Sequence, residues 1–270
     1  AAIERTMAER HLTEELRGVT IIDPETSELR ERYADAYWKV RQRRGVSLGA
    51  ALMRMGMRRY FGAMMTDLGE ADGLVTGLNL PYAAAIGPAL EIIGARPGRR
   101  AGGVYVVVTR NEFKFFADCT LNEDPSPEHL AHIAIATADL AKYFDVTPRI
   151  AFLSYSNFGS RDGETAFKMR EVYRKLKAVA PDLIVEGEMQ GDLALNQDLR
   201  ERYIPETVLK GEANLLIFPN LESANLSMTL LKEMTNALAV GPILMGPRSP
   251  AHILAPSTTV CRPSASACDA

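Results

Sequence analysis

Ile150-Ala151-Phe152-Leu153-Ser154-Tyr155-Ser156-Asn157-Phe158-Gly159-Ser160 decides how the rest of this chain is read. Four apolar residues of strand length run into a polar, glycine-bearing loop, and an amphipathic helix over 164–179 follows. The unit then recurs as strand 183–185, a helical or irregular piece over 193–203, strand 214–218, helix 223–238 and strand 242–245. Strands alternating with helices predict an α/β fold with a mostly parallel sheet. In such sheets ligands lie beyond the carboxyl ends of the strands. The loops of interest are therefore 154–160, 186–192, 220–225 and the segment after Met245.

Toward the N-terminus the pattern changes. Ser126-Pro127-Glu128 has the form of a helix start, an N-cap serine with proline in the first turn, and Leu130, Ile133, Ala136, Leu140 and Phe144 mark one face of the helix. A boundary is placed near residue 123. Before it, runs 103–108 and 114–118 around Arg110-Asn111-Glu112 predict a hairpin, and strand 73–77 leads to a helix over 83–93 that Gly94 and Pro97 end. Helical spacing over 25–68, broken near Arg44-Gly45, predicts two or three helices. A helix over 3–16 and a strand over 19–22, stopped by Asp23-Pro24, complete the reading, with a poorly ordered Ser, Ala, Thr and Pro-rich end over 256–270.

Composition narrows the class. The 270 residues are 47% hydrophobic and 24% charged, which excludes bulk disorder. A net charge of -3 lacks the basic footprint of a nucleic-acid binder, so no nucleic-acid partner is expected. The apolar runs are far shorter than the ~20 residues that span a bilayer, so no membrane partner is expected. Cys119, Cys261 and Cys268 fit neither a disulfide framework nor a zinc site, and a cytoplasmic location is expected. The N-terminus carries charge and no initiator Met, as an excised piece would.

Few side chains group into chemistry. The hydroxyls, amide and backbone N–H groups of 154–160 are placed to converge on an anion, or else to form a polar turn that caps a helix. Glu186, Glu188 and Asp192 offer nearby carboxylates, with helix capping or ion pairing as the plainer use. His129 and His132 share helical spacing and read as surface residues. Cys119 ends an apolar strand as a small buried hydrophobe. The methionines from Met53 to Met65 read as helix packing, and Arg96-Pro97-Gly98-Arg99-Arg100 as a solvated basic turn. No metal site or catalytic residue is assigned.

Tyr60-Phe61-Gly62-Ala63-Met64-Met65, 70–77, Phe116-Ala117-Asp118-Cys119, Ser154-Tyr155-Ser156, Glu186-Gly187-Glu188-Met189-Gln190 and Asn214-Leu215-Leu216-Ile217-Phe218-Pro219 together resemble the phosphate acetyltransferase and butyryltransferase family, in the family's order. The resemblance covers about residues 40–250. It implies a two-lobed phosphotransacetylase-like fold with a cleft between lobes: residues 1–122 joined by 242–270, and residues 123–241.

Family members move an acetyl group between coenzyme A and phosphate. Their C-terminal Ser, Arg and Asp fall here on Ala255, Pro256 and Arg262, and an upstream Arg falls on Gly87. The Arg holds the phosphoryl anion and the Asp is the proposed base, so the reactive set is replaced. A fold kept without those residues resembles the C-terminal domain of large bacterial NADP-dependent malic enzymes, which Asn157 and Phe158 within the loop also resemble. The resemblance thus implies a catalytically silent, acetyl-CoA-binding regulatory and oligomerisation domain, with the malate oxidoreductase part, NADP and a divalent metal in upstream domains.

Two alternatives remain at this stage: an active phosphate acetyltransferase, and a purely oligomerising domain. A homo-oligomer, at least a dimer, is expected. Acetyl-CoA or phosphate is assigned to Thr76, Ser154, Ser156, Asn157, Gly159, Ser160, Asn220, Ser223 and Asn225. Ser156→Arg is expected to block that site without disturbing the fold.

Overall fold

The structure, a computed structural model, describes residues 2–108 and 113–254. It comprises two compact units, Ala1–Met65 and Thr66–Ala270. Residue 123 lies inside the second of these.

The first unit is helical: α1 (Ala2–Glu9), α2 (Leu29–Arg41), α3 (Leu48–Met55) and the start of α4 (Arg58–Asp67). Gly45, with φ +82°, closes the turn after α2, and the Ser47 hydroxyl caps α3 by accepting the Ala50 N–H. Tyr33 and Tyr37 of α2 are buried with Ala51 and Met55 of α3, and the Tyr33 and Phe61 rings lie 4.8 Å apart. Two sequence expectations are corrected. The first helix stops at Glu9, where His11 takes a positive φ of 57°, instead of continuing to residue 16. Residues 19–22 form no strand; Val19, Ile21 and Ile22 are exposed, and no neighbouring strand takes up their hydrogen bonds.

In the second unit, β1 (Leu74–Gly77) leads through a loop to α5 (Tyr82–Ile92). The expected hairpin is β2 (Gly102–Val108) and β3 (Phe113–Ala117), paired antiparallel from Val104↔Ala117 to Val108↔Phe113. There follow α6 (Pro127–Tyr143), β4 (Arg149–Leu153), α7 (Glu164–Val179), β5 (Ile184–Met189), α8 (Gly191–Leu195), α9 (Gln197–Tyr203), β6 (Leu215–Ile217), α10 (Leu221–Thr235), β7 (Leu238–Met245) and β8 (Ala251–Leu254). The main sheet has the order β5-β4-β6-β3-β2-β7. Its β5, β4, β6 and β3 run parallel, whereas β2 is antiparallel to both β3 and β7. A two-stranded parallel sheet pairs β1 with β8.

The α/β reading holds, with corrections at the C-terminal side. The last helix ends at Thr235, where Asn236 adopts the left-handed conformation, and β7 starts at residue 238 and pairs antiparallel. Strand β8 went unread. The segment 256–270 lies outside the described residues.

Both faces of the main sheet are covered. On one, Leu130, Ile133 and Ala134 of α6 and Met169, Val172 and Leu176 of α7 pack on Phe115, Ile150, Phe152, Leu215 and Ile217. On the other, Leu193 of α8 and Ala224 and Met228 of α10 pack on Phe116, Leu216 and Phe218. At about 1.5–3 kcal/mol for each large apolar side chain taken out of water, these two layers supply the main drive to fold. They also hold the carboxyl ends of β3, β4, β5 and β6 as a fixed rim for the loops that follow.

Candidate ligand-binding site

The loop after β4 does gather donors around an anion, and that anion belongs to the chain. Gly187, at φ +132°, lies so close to β4 that a Cβ would meet the Phe152 carbonyl oxygen at 2.6 Å. The next residue, Glu188, is buried. Its Oε1 accepts the Ser156 hydroxyl at 2.8 Å, the Gly159 N–H at 2.8 Å and the Arg170 Nε–H at 3.0 Å. Arg170 also donates to the Arg161 carbonyl, and the Asn157 side chain exchanges two hydrogen bonds with Gln190. The Ser160 hydroxyl accepts the Asn157 N–H, and the Ser154 hydroxyl accepts the Ser156 N–H. Two of the donors that sequence reasoning assigned to a ligand, the Ser156 hydroxyl and the Gly159 N–H, thus serve the Glu188 carboxylate.

Ser156 is fully buried. Replacing it by Arg is therefore a folding defect, not a surface block, because a guanidinium has no space there and no counter-charge to spare.

Beyond the ends of β3 and β6 lies an open groove of about 830 Å³ in the second unit. Its walls come from Tyr82 and Ala83 of α5, Tyr105 of β2, Cys119 and Thr120 after β3, Asn220 at the cap of α10 with Leu221, Glu222, Asn225 and Leu226 on it, and Pro242 of β7. Beneath it the Asp118 carboxylate anchors the turn after β3, accepting the N–H groups of Gly103, Thr120, Leu121 and Asn122. A Cβ at Gly103 would meet Thr120 Oγ1 at 1.8 Å, so glycine lets this turn seat on β2 without displacing the Thr120 side chain. Burial pushes the Tyr82 hydroxyl up to about 12 and the Cys119 thiol well above its ordinary value, and it raises Tyr105 as well. These three groups stay protonated at neutral pH.

The N-terminus of α10 forms one wall of the groove. The Asn220 side chain caps the Ser223 N–H at 2.9 Å, the Leu221 N–H donates to the Glu123 carbonyl at 3.0 Å, and the Ala224 N–H returns to Asn220 O. Glu222 adds a carboxylate to the first turn. The positive end of this helix is again answered by the protein's own groups. The groove is lined by Glu123, Asp124 and Glu222 and by no Lys, Arg or His among the described residues.

Of the nine residues assigned from sequence, the groove contains Asn220 and Asn225, and Asn225 Nδ2 donates to Cys119 O. Ser154, Ser156, Asn157, Gly159 and Ser160 form the separate network around Glu188. Ser223 is taken up by the helix cap, its hydroxyl donating to Asn220 O, and Thr76 stands on β1 opposite Ile253. The other candidate carboxylates serve locally: Glu186 accepts from the Thr207 hydroxyl, and Asp192 from the Leu193 N–H. Gly87, where the resemblance implies Arg in the family, sits in α5 with open space where a Cβ would stand. Sequence reasoning missed Tyr82, Tyr105, Thr120, Glu123 and Asp124. Their only signal is position: Tyr82 in a helix's first turn, Thr120, Glu123 and Asp124 just after a strand end, and Tyr105 within β2.

Comparison with known proteins agrees with this architecture. The family model described as phosphate acetyl/butaryl transferase matches residues 1–263. An NAD-dependent malic enzyme of Rhizobium meliloti is 40% identical over 88% of this chain and 31% of its own length. An NADP-dependent malic enzyme of Salmonella typhimurium is 37% identical over 90% of this chain and 32% of its own length. The chain spans about a third of the length of these curated relatives. A phosphotransacetylase structure from Streptococcus pyogenes superposes with a TM-score of 0.86 at 34% identity, covering 93% of this chain and 78% of that one. The family match over residues 1–263, with the structural likeness at 34% identity, establishes that the chain belongs to the phosphate acetyl/butaryl transferase family.

Proposed function

We propose that this chain is the catalytically silent, acyl-CoA-binding regulatory and oligomerisation domain of a malic enzyme. Malate oxidation and decarboxylation, with NADP and a divalent metal, would belong to other domains of the longer protein. The observation that carries the reading is the charge of the groove: three carboxylates and no cation among its described lining residues. Phosphoryl anions need Arg, Lys, a metal or free backbone N–H groups to hold them. The chain's own carboxylates and caps occupy the two N–H clusters that would serve. Gly87 at the family's Arg position points the same way. The domain would sit in the cytoplasm within a homo-oligomer, at least a dimer. Among the described residues no helix is long and apolar enough to cross a membrane.

The test has two arms. In the first, acetyl phosphate and coenzyme A are incubated with the chain at high protein concentration; no acetyl-CoA is expected, and turnover above about 1 s⁻¹ would establish the acetyltransferase reading instead. In the second, acetyl-CoA at about a hundredfold over its dissociation constant should stabilise the fold by ~2.7 kcal/mol. An unmoved melt at millimolar acetyl-CoA would remove the sensing role and leave the oligomerising one.

A further inference from the structure

Helix α10 turns a second apolar face away from its own sheet. Ala224 and Met228 pack on the main sheet, while Leu226, Leu230 and Met234, successive turns of the same helix, are exposed, from 54% at Leu226 to 81% at Met234. Ser223 and Ser227 lie beside them, and Glu222, Lys232 and Glu233 fall outside the stripe. The chain then turns at Asn236 into β7, the edge strand of the main sheet. Leu238 and Val240 near its start are half-exposed too, and none of the residues from Leu238 to Met245 is charged. Edge strands that face water are usually guarded by charged side chains or proline; Pro242 guards the middle of β7, and its start has neither.

We propose that this surface is where two copies of the chain meet, with α10 of one lying antiparallel on α10 of the other and Leu230 at the two-fold axis. Leu226 and Met234 each stand one turn from Leu230, so the stripe is complementary to itself under two-fold rotation. Leu230 meets Leu230, and Leu226 of each copy faces Met234 of the other. The five exposed side chains offer on the order of 500 Å² of apolar surface, more than half of the ~800 Å² that each partner of a standard interface buries. A charged or phosphorylated partner finds no counter-charge on the stripe, whereas a second apolar stripe matches it. Leu226 also lines the groove, so the contact adjoins that cavity.

This placement rests on the oligomerisation reading above, and the experiment separates the two. Light scattering after gel filtration of the whole chain would compare wild type with Leu230→Glu and with a control at a comparably exposed apolar position, Val179→Glu at the end of α7. Wild type is expected at twice 29.6 kDa or a higher even multiple. Leu230→Glu should halve that mass at micromolar concentration: the substitution enters the contact twice and sets two carboxylates together, weakening association by about a hundredfold or more. Val179→Glu should leave the mass unchanged. In a Cys261→Ser, Cys268→Ser background, a short bismaleimide should join Leu230→Cys to a second copy and should not join Val179→Cys, which decides the matter even if Leu230→Glu does not fold. An unchanged mass in Leu230→Glu, or no link through Leu230→Cys, would overturn the placement and leave the oligomer standing. A monomeric wild type would overturn both, and is the outcome if another segment of the longer protein covers this face.

Discussion

Replacing Glu188 by Gln probes the loop after β4 with the least change of shape. The amide oxygen can stand where Oε1 stands and keep all three donors, Ser156 Oγ, Gly159 N and Arg170 Nε, at 2.8–3.0 Å. Only the charge is lost. Hydrogen bonds to a charged group contribute about 1.5–3 kcal/mol and neutral ones about 0.5–1.5, so three of them should lose about 3–4.5 kcal/mol in all. For a chain of this size that is a fall in Tm of roughly 5–15 °C. Glu188→Ala goes further. The Ser156 hydroxyl can turn to the Arg161 carbonyl at 3.1 Å, but the Gly159 N–H is left without an acceptor, which adds about 1–3 kcal/mol. Urea unfolding followed by circular dichroism measures both variants, with an unchanged m-value showing that the same surface is exposed. If Glu188→Gln unfolds within about 0.5 kcal/mol of wild type, or Glu188→Ala proves no worse than Gln, the carboxylate is not the hub of the loop.

Gly187→Ala should cost more than the ~1 kcal/mol of an ordinary substitution, since its Cβ would meet the Phe152 carbonyl at 2.6 Å at a φ of +132°; a melt equal to wild type would contradict this. His129 has its pKa lowered, chiefly by burial and next by Arg100 and His132 against the opposing Ala101 carbonyl and Asp118, so protonation penalises the folded state. Its contribution is therefore intact above the unfolded value of 6.5 and is lost as pH falls below it; His129→Gln should flatten that part of the stability–pH curve, and an unchanged slope would rule His129 out. The buried Cys119 thiol should react with an alkylating reagent only on unfolding, as read by peptide mass mapping that separates it from Cys261 and Cys268; labelling of the native chain within minutes would show that the groove floor opens.

The strongly patterned elements were legible in the sequence for physical reasons. Ser126-Pro127 predicted the start of α6 because an N-cap hydroxyl and a proline suit the first turn and nothing else nearby does. The run 150–153 could only be a strand buried on both faces. Residues 19–22 have the composition of a strand but no partner to pair with, and pairing is not written in a local window. The same limit hid β8, whose partner is β1, and made β7 look like one more parallel strand. At the site, sequence reasoning assigned the donors of 154–160 to a ligand and did not connect them with Glu188. Glu188 lies some thirty residues further on and arrives there because β5 pairs with β4. The groove was harder still, because its walls come from α5, β2, α10 and two turns that no spacing rule connects.

The pairing of β1 with β8 has a temporal meaning. Leu74 finds its partner in Ala251, so nearly the whole second unit is synthesised between the two halves of the small sheet. While the chain grows, the hairpin β2–β3 and the units that follow can each close locally, whereas β1 stays an unpaired edge until residue 254 has left the ribosome. Contacts so distant in sequence close slowly, because the chain between them must first be brought to order. The small sheet is thus a latch, closing in synthesis after the other strands of this unit among the described residues.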